Sequence, residues 1–244
     1  MPWYHTAVWT GSEMIVWGGA TGRHETAQGA AFDPVSSTWR RLPDAPQSAY
    51  AHSAVWTGRE MIVWGGSDDN ESEGTRGCPS RFLDLGAAYD PKANSWRVLT
   101  DSPLEARGWH VAAWTGSEMI VWGGGAGECS ATHPADGAAY DPASDTWRTL
   151  AESSLTGREE SQAVWTGSEM ILWSGTTHGG SLGLGDGAAY DPKADKWASL
   201  PPAPLEGRRE HTMVWTGTEV FVWGGCCGRA TYSDGAVYRP ASSD

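Results

Sequence analysis

The sequence predicts an all-β fold, a β-propeller of five four-stranded blades in which the last blade lacks its outer strand. The stretch WTGSEMIVWGG at residues 9–19 returns unchanged at residues 114–124, and looser copies begin at Trp56, Trp165 and Trp215. The first Trp of each copy follows the previous one by 47, 58, 51 and 50 residues. A period near 50 in a chain with 32 Gly and 16 Trp is typical of a repeat architecture.

The first two strands of each repeat are predicted to form a hairpin. In the first copy, residues 5–10 and 13–17 are β-branched and aromatic runs separated by Gly11-Ser12. Gly in the first position of a two-residue loop permits the positive φ of a type II′ turn. We therefore expect an antiparallel pair that ends at Gly18-Gly19.

The third and fourth strands are predicted to meet at an Asp-Pro turn. In the first copy the third strand ends at Phe32, and Asp33-Pro34 follows it. Asp accepts a backbone N–H and Pro fixes φ, which favours a type I turn. A Trp stands seven residues after the third-strand aromatic residue in four copies, at Trp39, Trp96, Trp147 and Trp197. Four antiparallel strands per repeat, without helical periodicity, are typical of propeller blades.

The two ends of the chain depart from the pattern. The outer-strand Trp of the fifth copy would follow Asp244 directly, and only eight residues precede Trp9. We expect an open or trimmed ring, or a segment of a larger one, with an unpaired edge on the last blade that invites self-association. The predicted single domain spans residues 1–244, with repeats at approximately 1–42, 43–99, 100–150, 151–200 and 201–244.

Composition excludes some classes of partner. The chain has 17 basic and 30 acidic residues and a formal charge of −13, so a nucleic acid would be repelled. It has no stretch of about 18 apolar residues, and its first residues do not resemble a signal peptide. We therefore expect a soluble protein that does not bind membranes, with its many Trp side chains in the core.

These motifs resemble Kelch repeats. The double Gly, the aromatic residue before Asp-Pro, the following Trp and the pattern R-x-x-H at Arg107–His110 and Arg208–His211 carry the resemblance over nearly the whole chain. It implies that the first strand of each blade lines a central channel and that the fourth faces outward. Galactose oxidase contains a similar propeller, and other Kelch proteins catalyse sialic-acid mutarotation or iron-assisted glucosinolate breakdown. No Tyr-Cys copper motif can be placed on this sequence.

Function is expected where the copies differ, because residues shared by all copies are most simply structural. The connections from the double Gly to the third strand have 9, 19, 12, 11 and 9 residues. They share one face with the segments that lead into the first strands. Loops on a rigid scaffold commonly carry binding or catalysis, so this variable-loop face is the predicted functional surface.

Histidines form the first candidate site. Four residues before each first-strand Trp stand His5, His52, His110, Ser161 and His211. Imidazoles that converge at a channel mouth are ligands for a transition metal such as zinc, copper or iron, which would support a metal-assisted enzyme. The alternative is that each His belongs to the Kelch pattern and bonds to the backbone of a neighbouring blade.

Arginines and aromatic residues form the second candidate site. Arg107, Arg158 and Arg208 stand seven residues before the first-strand Trp, where a guanidinium could bind a carboxylate of a ligand or form a salt bridge between blades. Aromatic rings beside Arg and Glu suit a sugar or a peptide. The candidate ligand-binding residues are Arg107, Arg158, Arg208, Trp3, Tyr50, Trp109, Glu160 and Glu210.

Acidic residues and cysteines in the variable loops leave alternatives open. Asp136, Asp186 and Asp234 precede the third-strand Gly in three copies, where they could hold Ca²⁺ or cap loop N–H groups. A disulfide between Cys78 and Cys129 would imply an oxidising compartment, extracellular or periplasmic. The adjacent pair at 226–227 could form a vicinal disulfide, remain reduced or join a metal site.

Three functions are consistent with these observations. The leading hypothesis is a non-catalytic binding scaffold that presents its variable-loop face to a protein or a glycan. The second is a metal-assisted enzyme that uses His5, His52, His110 and His211. The third is a structural part of a larger secreted Kelch protein.

Overall fold

A computed structural model describes residues 3–21, 24–68, 81–177, 183–227 and 230–240 of the chain. Four sheets have four antiparallel strands and a fifth has three, which confirms the predicted five-bladed propeller and its incomplete last blade. A short 3-10 turn at Glu128–Ser130 interrupts one loop. In the described part of the chain, no helix is long and apolar enough to cross a membrane.

Each blade follows the chain from its first strand, beside the channel, to its fourth strand at the rim. Blade 1 contains Thr6–Trp9, Met14–Trp17, Gly29–Asp33 and Thr38–Arg41. Blade 2 contains Ser53–Trp56, Met61–Trp64, Gly86–Asp90 and Ser95–Val98. Blade 3 contains Val111–Trp114, Met119–Trp122, Gly137–Asp141 and Thr146–Thr149. Blade 4 contains Gln162–Trp165, Met170–Trp173, Gly187–Asp191 and Lys196–Ser199. Blade 5 contains Thr212–Trp215, Val220–Trp223 and Gly235–Tyr238.

Two-residue strands lie in the variable loops beside these blades. They pair Ala20–Thr21 with His24–Glu25, Arg107–Gly108 with Gly125–Ala126, and Cys226–Cys227 with Ala230–Thr231.

Both turns of the repeat have the predicted chemistry. In the hairpin of blade 1, Gly11 has a φ of +100° and the Thr10 backbone N–H donates to the Glu13 carbonyl. At the Asp-Pro turn, the Asp33 carboxylate accepts the backbone N–H of Val35 at 2.8 Å. These short turns therefore close each blade with local contacts and leave the opposite face to the variable loops.

The hydrophobic core is divided into slices between successive blades. The second strand of an interior blade, such as Met119–Trp122, is buried at all four positions because its side chains alternate between two neighbours. Met119 and Val121 pack against blade 2, whereas Ile120 and Trp122 pack against blade 4. Four such clusters join blades 1 to 5 in chain order.

Tryptophan pairs fasten the three slices between blades 1 and 4 at the rim. The outer-strand Trp96 of blade 2 packs on Trp17 of blade 1, with ring centroids 5.6 Å apart. Its indole N–H also donates to the carbonyl of Pro43, just after the outer strand of blade 1, at 3.0 Å. The pairs Trp147–Trp64 and Trp197–Trp122 repeat this packing at 5.8 and 5.7 Å.

The ring is open between blades 5 and 1. First strands of successive blades are neighbours, but among the described residues the first strands of blades 5 and 1 show no comparable contact. In blade 5 the second strand alternates between buried and exposed, and Phe221 and Trp223 are 46% and 62% exposed. Trp39 of blade 1 is 57% exposed for the same reason, because no blade covers it.

The rim packing predicts different effects for the same substitution in two blades. Trp147→Ala removes the stack on Trp64 and the indole hydrogen bond, so we expect the free energy of unfolding to fall by about 2 to 4 kcal/mol. Trp39→Ala, at the equivalent exposed position, should cost less than about 1 kcal/mol. Urea unfolding followed by far-ultraviolet circular dichroism measures both, and equal losses would contradict the assignment of this contact.

Candidate functional site

One backbone feature recurs where each blade enters its first strand. The residue five positions before the first-strand Trp has a left-handed conformation in every blade, with φ between 53° and 56°. These residues are Tyr4, Ala51, Trp109, Glu160 and Glu210. Because none of them is Gly or Asn, each costs on the order of 1 kcal/mol of strain or more. All five line one cavity at the channel mouth.

These five left-handed residues form what we call the mouth ring, and hydrogen bonds between blades join the three members in blades 2, 3 and 4. The Trp109 backbone N–H donates to the Ala51 carbonyl at 2.9 Å, and the Glu160 N–H donates to the Trp109 carbonyl at 3.1 Å. The strained conformation thus turns backbone groups of one blade toward the next. The surrounding structure offsets the strain, as is common at binding sites.

The double glycines make room for this arrangement. The second Gly of blade 3, Gly124, donates its N–H to the carbonyl of Arg158 in blade 4 at 2.8 Å. Gly124 has a φ of +103°, and a Cβ there would lie 2.6 Å from the Gly108 carbonyl oxygen and 2.9 Å from Cβ of His110. Only Gly fits between these atoms, which explains the repeated motif.

The mouth cavity has a volume of about 270 Å³, and aromatic and acidic side chains line different parts of it. Tyr4 and Trp109 supply aromatic rings, Glu160 and Glu210 supply carboxylates, and the exposed His5 lies beside Tyr4. Ala51, the remaining residue of the mouth ring, contributes only a methyl group. The five blades therefore place four kinds of side chain around one opening, with Glu in both blade 4 and blade 5.

Electrostatic coupling connects the acidic and aromatic sides of the cavity. Burial raises the pKa of Tyr4, and the nearby carboxylates of Glu160 and Glu210 raise it further. Burial also raises the pKa of Glu160, while the ion pair with Arg209 at 2.9 Å opposes that shift. The two carboxylates face one guanidinium, so the mouth retains a surplus of negative charge.

The histidines predicted as metal ligands lie mostly in blade interfaces. His52 Nε2 is 2.8 Å from Thr6 Oγ1 of blade 1, and His110 Nε2 is 2.8 Å from Ser53 Oγ of blade 2. All three rings also pack edge-on against the second-strand Trp of the preceding blade, as His211 does against Trp173 with ring centroids 5.3 Å apart. The partners are side chains, whereas the Kelch alternative expected backbone groups.

The four histidines predicted as metal ligands do not assemble into a metal centre in this structure. Across the described ranges, no three His, Cys, Asp or Glu side chains converge closely enough to hold a metal ion. His52 and His110 point into different interfaces, and His5 is exposed at the mouth. The enzyme hypothesis that used these four histidines has no geometric support here.

The predicted ligand-binding arginines are internal ion pairs. Arg107, Arg158 and Arg208 are 0, 1 and 0% exposed, and their Nη1 atoms lie 2.7 Å from Oδ1 of Asp136, Asp186 and Asp234. Each pair lies within one blade, not between blades as the alternative supposed. The arginines therefore brace the variable loop of their own blade instead of facing the cavity.

A signal for these ion pairs is present in the repeats. The two copies without the Arg have Pro2 and Ala49 in its place, and the same two copies have Gln28 and Leu85 where the others have Asp. Arg and Asp thus occur together or not at all, which indicates contact. Within a copy the two positions lie 29, 28 or 26 residues apart, so no local pattern marks their pairing.

The remaining predicted residues divide between the cavity and its surroundings. Trp109, Glu160 and Glu210 line it. Tyr50 lies behind Trp109, with ring centroids 6.3 Å apart, whereas Trp3 is 64% exposed and pairs through its backbone with Ala20. Tyr4 also lines the cavity but was not among the predicted residues, because its position five residues before the first-strand Trp carries no residue type shared by the five copies.

The cysteines take two states. Cys226 and Cys227 are free thiols, so this adjacent pair is not bridged. Cys129 is disulfide-bonded, and its predicted partner Cys78 lies outside the described residues. Residues 69–80 of the 19-residue variable loop at 67–85 also lie outside them.

The blades, their turns and the channel mouth define a repeat β-propeller, and comparison gives its family. The KLHDC2/KLHL20/DRC7 Kelch-repeats domain matches residues 4–225, so the chain belongs to the Kelch-repeat family. The solved "Structure of YjhT" is similar with a TM-score of 0.81 and 16% sequence identity, over 98% of this chain and 82% of that one. At this identity the similarity shows the fold alone. No curated protein matches the chain.

The buried histidines predict a pH-dependent stability. Burial lowers the pKa of His52 and of His110 to about 3 and that of His211 to about 4. An unfolded His titrates near pH 6.5, so the unfolded chain binds protons that the folded chain excludes. The contribution of these neutral histidines to the free energy of unfolding is therefore fully present above pH 6.5. It is lost progressively as the pH decreases toward 3.

Replacing one histidine should flatten this dependence. His110→Ser copies the residue that blade 4 has at this position, Ser161. We expect the stability lost between pH 7 and pH 5 to shrink by about 1 to 2 kcal/mol. Urea unfolding at several pH values measures it, and an unchanged slope would show that His110 does not carry the effect.

Proposed function

We propose that this protein is a non-catalytic binding scaffold that receives a protein ligand on its variable-loop face, with a basic side chain of that ligand in the mouth cavity. A Kelch propeller is commonly a protein-binding scaffold. The mouth ring carries the finer proposal, because its backbone is the same in all five blades while its side chains differ in all but one pair. A fixed frame with variable side chains is the usual arrangement of a recognition surface.

Charge supports a basic group as the occupant of the cavity. Glu160 and Glu210 provide carboxylates beside the rings of Tyr4 and Trp109. A Lys or Arg side chain gains from both, since an aromatic face attracts a cation and a partly buried carboxylate forms a strong charge-assisted hydrogen bond. The overall charge of −13 also draws a basic partner toward the protein.

A glycan is the other ligand class that this cavity suits. Sugars stack on aromatic rings, and their hydroxyl groups donate hydrogen bonds to carboxylates. The surplus of negative charge favours a cationic peptide over a neutral sugar, because a sugar leaves the carboxylates uncompensated. Small organic cations and neutral sugars, used as probes, distinguish the two ligand classes.

The test uses methylguanidinium and n-butylammonium as mimics of Arg and Lys side chains. The indole N–H signal of Trp109, assigned with Trp109→Phe, is followed by NMR during titration. We expect saturable shifts for the cations and none for glucose or galactose. The double variant Glu160→Gln/Glu210→Gln should bind both cations at least about tenfold more weakly, as measured from the same shifts.

A matched control separates the cavity from overall charge. Glu152→Gln removes an exposed carboxylate outside the cavity and should leave the titrations unchanged. If sugars shift the Trp109 signal and the cations do not, the proposed ligand class is wrong. Equal effects of all three carboxylate substitutions would show nonspecific attraction only.

A further inference from the structure

Aromatic rings stand side by side where blades 1, 2 and 3 meet at the channel mouth. Tyr4 and Trp109 line the mouth cavity, and Tyr50 packs against both of them, with ring centroids 6.3 Å away in each case. Phe82 also packs edge-on against Trp109, at 5.7 Å. The two rings that line the cavity are therefore positioned by neighbouring rings, without a ligand.

A small residue separates the two cavity rings. Around the channel the mouth ring runs from Tyr4 in blade 1 through Ala51 in blade 2 to Trp109 in blade 3, and all three residues line the same cavity. Ala51 fills its position with a methyl group only. A ligand group in this part of the cavity consequently lies beside both aromatic rings.

The rest of the mouth ring supplies negative charge. The carboxylates of Glu160 and Glu210 both raise the pKa of Tyr4, so their charge acts on the aromatic side of the cavity. Arg209 compensates one of the two carboxylates through its ion pair with Glu160 at 2.9 Å. One negative charge is left over, which a single cation in the cavity would balance.

The hydrogen-bonding capacity of the two carboxylates is partly used. Oε2 of Glu160 accepts a hydrogen bond from Arg209, and Oε2 of Glu210 accepts one from the thiol of Cys226 at 3.5 Å. A primary ammonium is strongly hydrated and brings three N–H donors that need acceptors in the cavity. A trimethylammonium group has no N–H donor, and the faces of aromatic rings attract its charge.

We infer that the mouth cavity is selective for a trimethylammonium group, carried by a trimethylated lysine side chain of the protein ligand. The rings of Tyr4 and Trp109 contact the methyl groups, while Glu160 and Glu210 supply the opposite charge. The inference rests on the proposed function, because it names the chemical state of the basic side chain that the cavity receives. The volume of about 270 Å³ suits one such headgroup, since pockets for whole drug-sized ligands have about 300 to 1,000 Å³.

Three probes of the same shape or charge test this selectivity. Choline carries a trimethylammonium group, ethanolamine carries a primary ammonium on the same hydroxyethyl group, and 3,3-dimethylbutan-1-ol replaces the charged nitrogen of choline by carbon. Each is titrated into the whole chain while NMR follows the indole N–H signal of Trp109. We expect choline to bind at least about fivefold more tightly than either of the other two, because only choline combines the charge with the methyl groups.

Two variants of one residue test the aromatic contact. Tyr4→Leu removes the ring, whereas Tyr4→Phe keeps it, and both retain a side chain at a position with a φ of 55°. We expect the Leu variant to bind choline about fivefold more weakly and the Phe variant to stay within about twofold of the parent. Trp39→Leu, which removes an exposed ring outside the cavity, is the control and should leave the titration unchanged.

Peptides identify the source of the trimethylammonium group. A pentapeptide with one lysine between serine and glycine residues is titrated in its trimethylated and unmodified forms. The trimethylated peptide should bind at least as tightly as choline, because the variable-loop face adds contacts, and at least about fivefold more tightly than the unmodified one. Tighter binding of choline than of this peptide would overturn lysine as the source and assign the cavity to a free small molecule.

The selectivity and the proposed function can fail separately. Equal or tighter binding of ethanolamine, or equal binding of the neutral alcohol, would overturn the selectivity, as would equal effects of Tyr4→Leu and Trp39→Leu. Saturable binding of n-butylammonium in the same cavity would still support the proposed function in those cases. If no cation shifts the Trp109 signal, the proposed function is wrong and the selectivity falls with it.

Discussion

The burial of each blade's apolar faces against its neighbours is the constraint on which the structure depends. At the rim of blades 1 to 4, the outer-strand Trp of one blade completes this burial by packing on the second-strand Trp of the blade before it. A single four-stranded blade exposes apolar side chains on both faces and cannot bury them alone. The pair Trp147–Trp64, with the indole hydrogen bond to Thr100, fastens two blades at the rim, and His110 packs on the same Trp64 closer to the channel. Stability is then a sum over neighbouring blades, as in other repeat proteins. The two end blades each lack one neighbour.

This constraint also decides where recognition can reside. Positions that pack between blades, including the double glycines and most of the histidines, are constrained by their neighbours. The side chains of the mouth ring are not constrained by packing between blades, because they face a cavity. Their backbone is positioned by hydrogen bonds such as that from the Trp109 N–H to the Ala51 carbonyl. The same frame can therefore carry Tyr4 in one blade and Glu210 in another. The proposed binding role and the packing role are thus carried by different residues of each blade.

The sequence predicted the strands, the turns and the missing outer strand, because Trp spacing and turn residues are local signals. It placed Trp109, Glu160 and Glu210 near the mouth for the same reason. It did not predict the left-handed mouth ring, since no Gly or Asn marks those positions and the conformation arises from contacts between blades. It also predicted that Arg107 binds a ligand. Its partner Asp136 is 29 residues away, and only a comparison of the repeats reveals that the two residues occur together.

Hydrogen exchange of the second-strand amides, followed by NMR, tests most directly whether the blades are held by their neighbours. The account predicts the slowest exchange in blades 2, 3 and 4, represented by Ile62, Ile120 and Ile171, which are buried between two blades. Ile15 and Phe221, in the end blades, should exchange clearly faster, because these blades open without breaking a second interface. Uniform protection across all five blades, or the slowest exchange in blade 5, would contradict it.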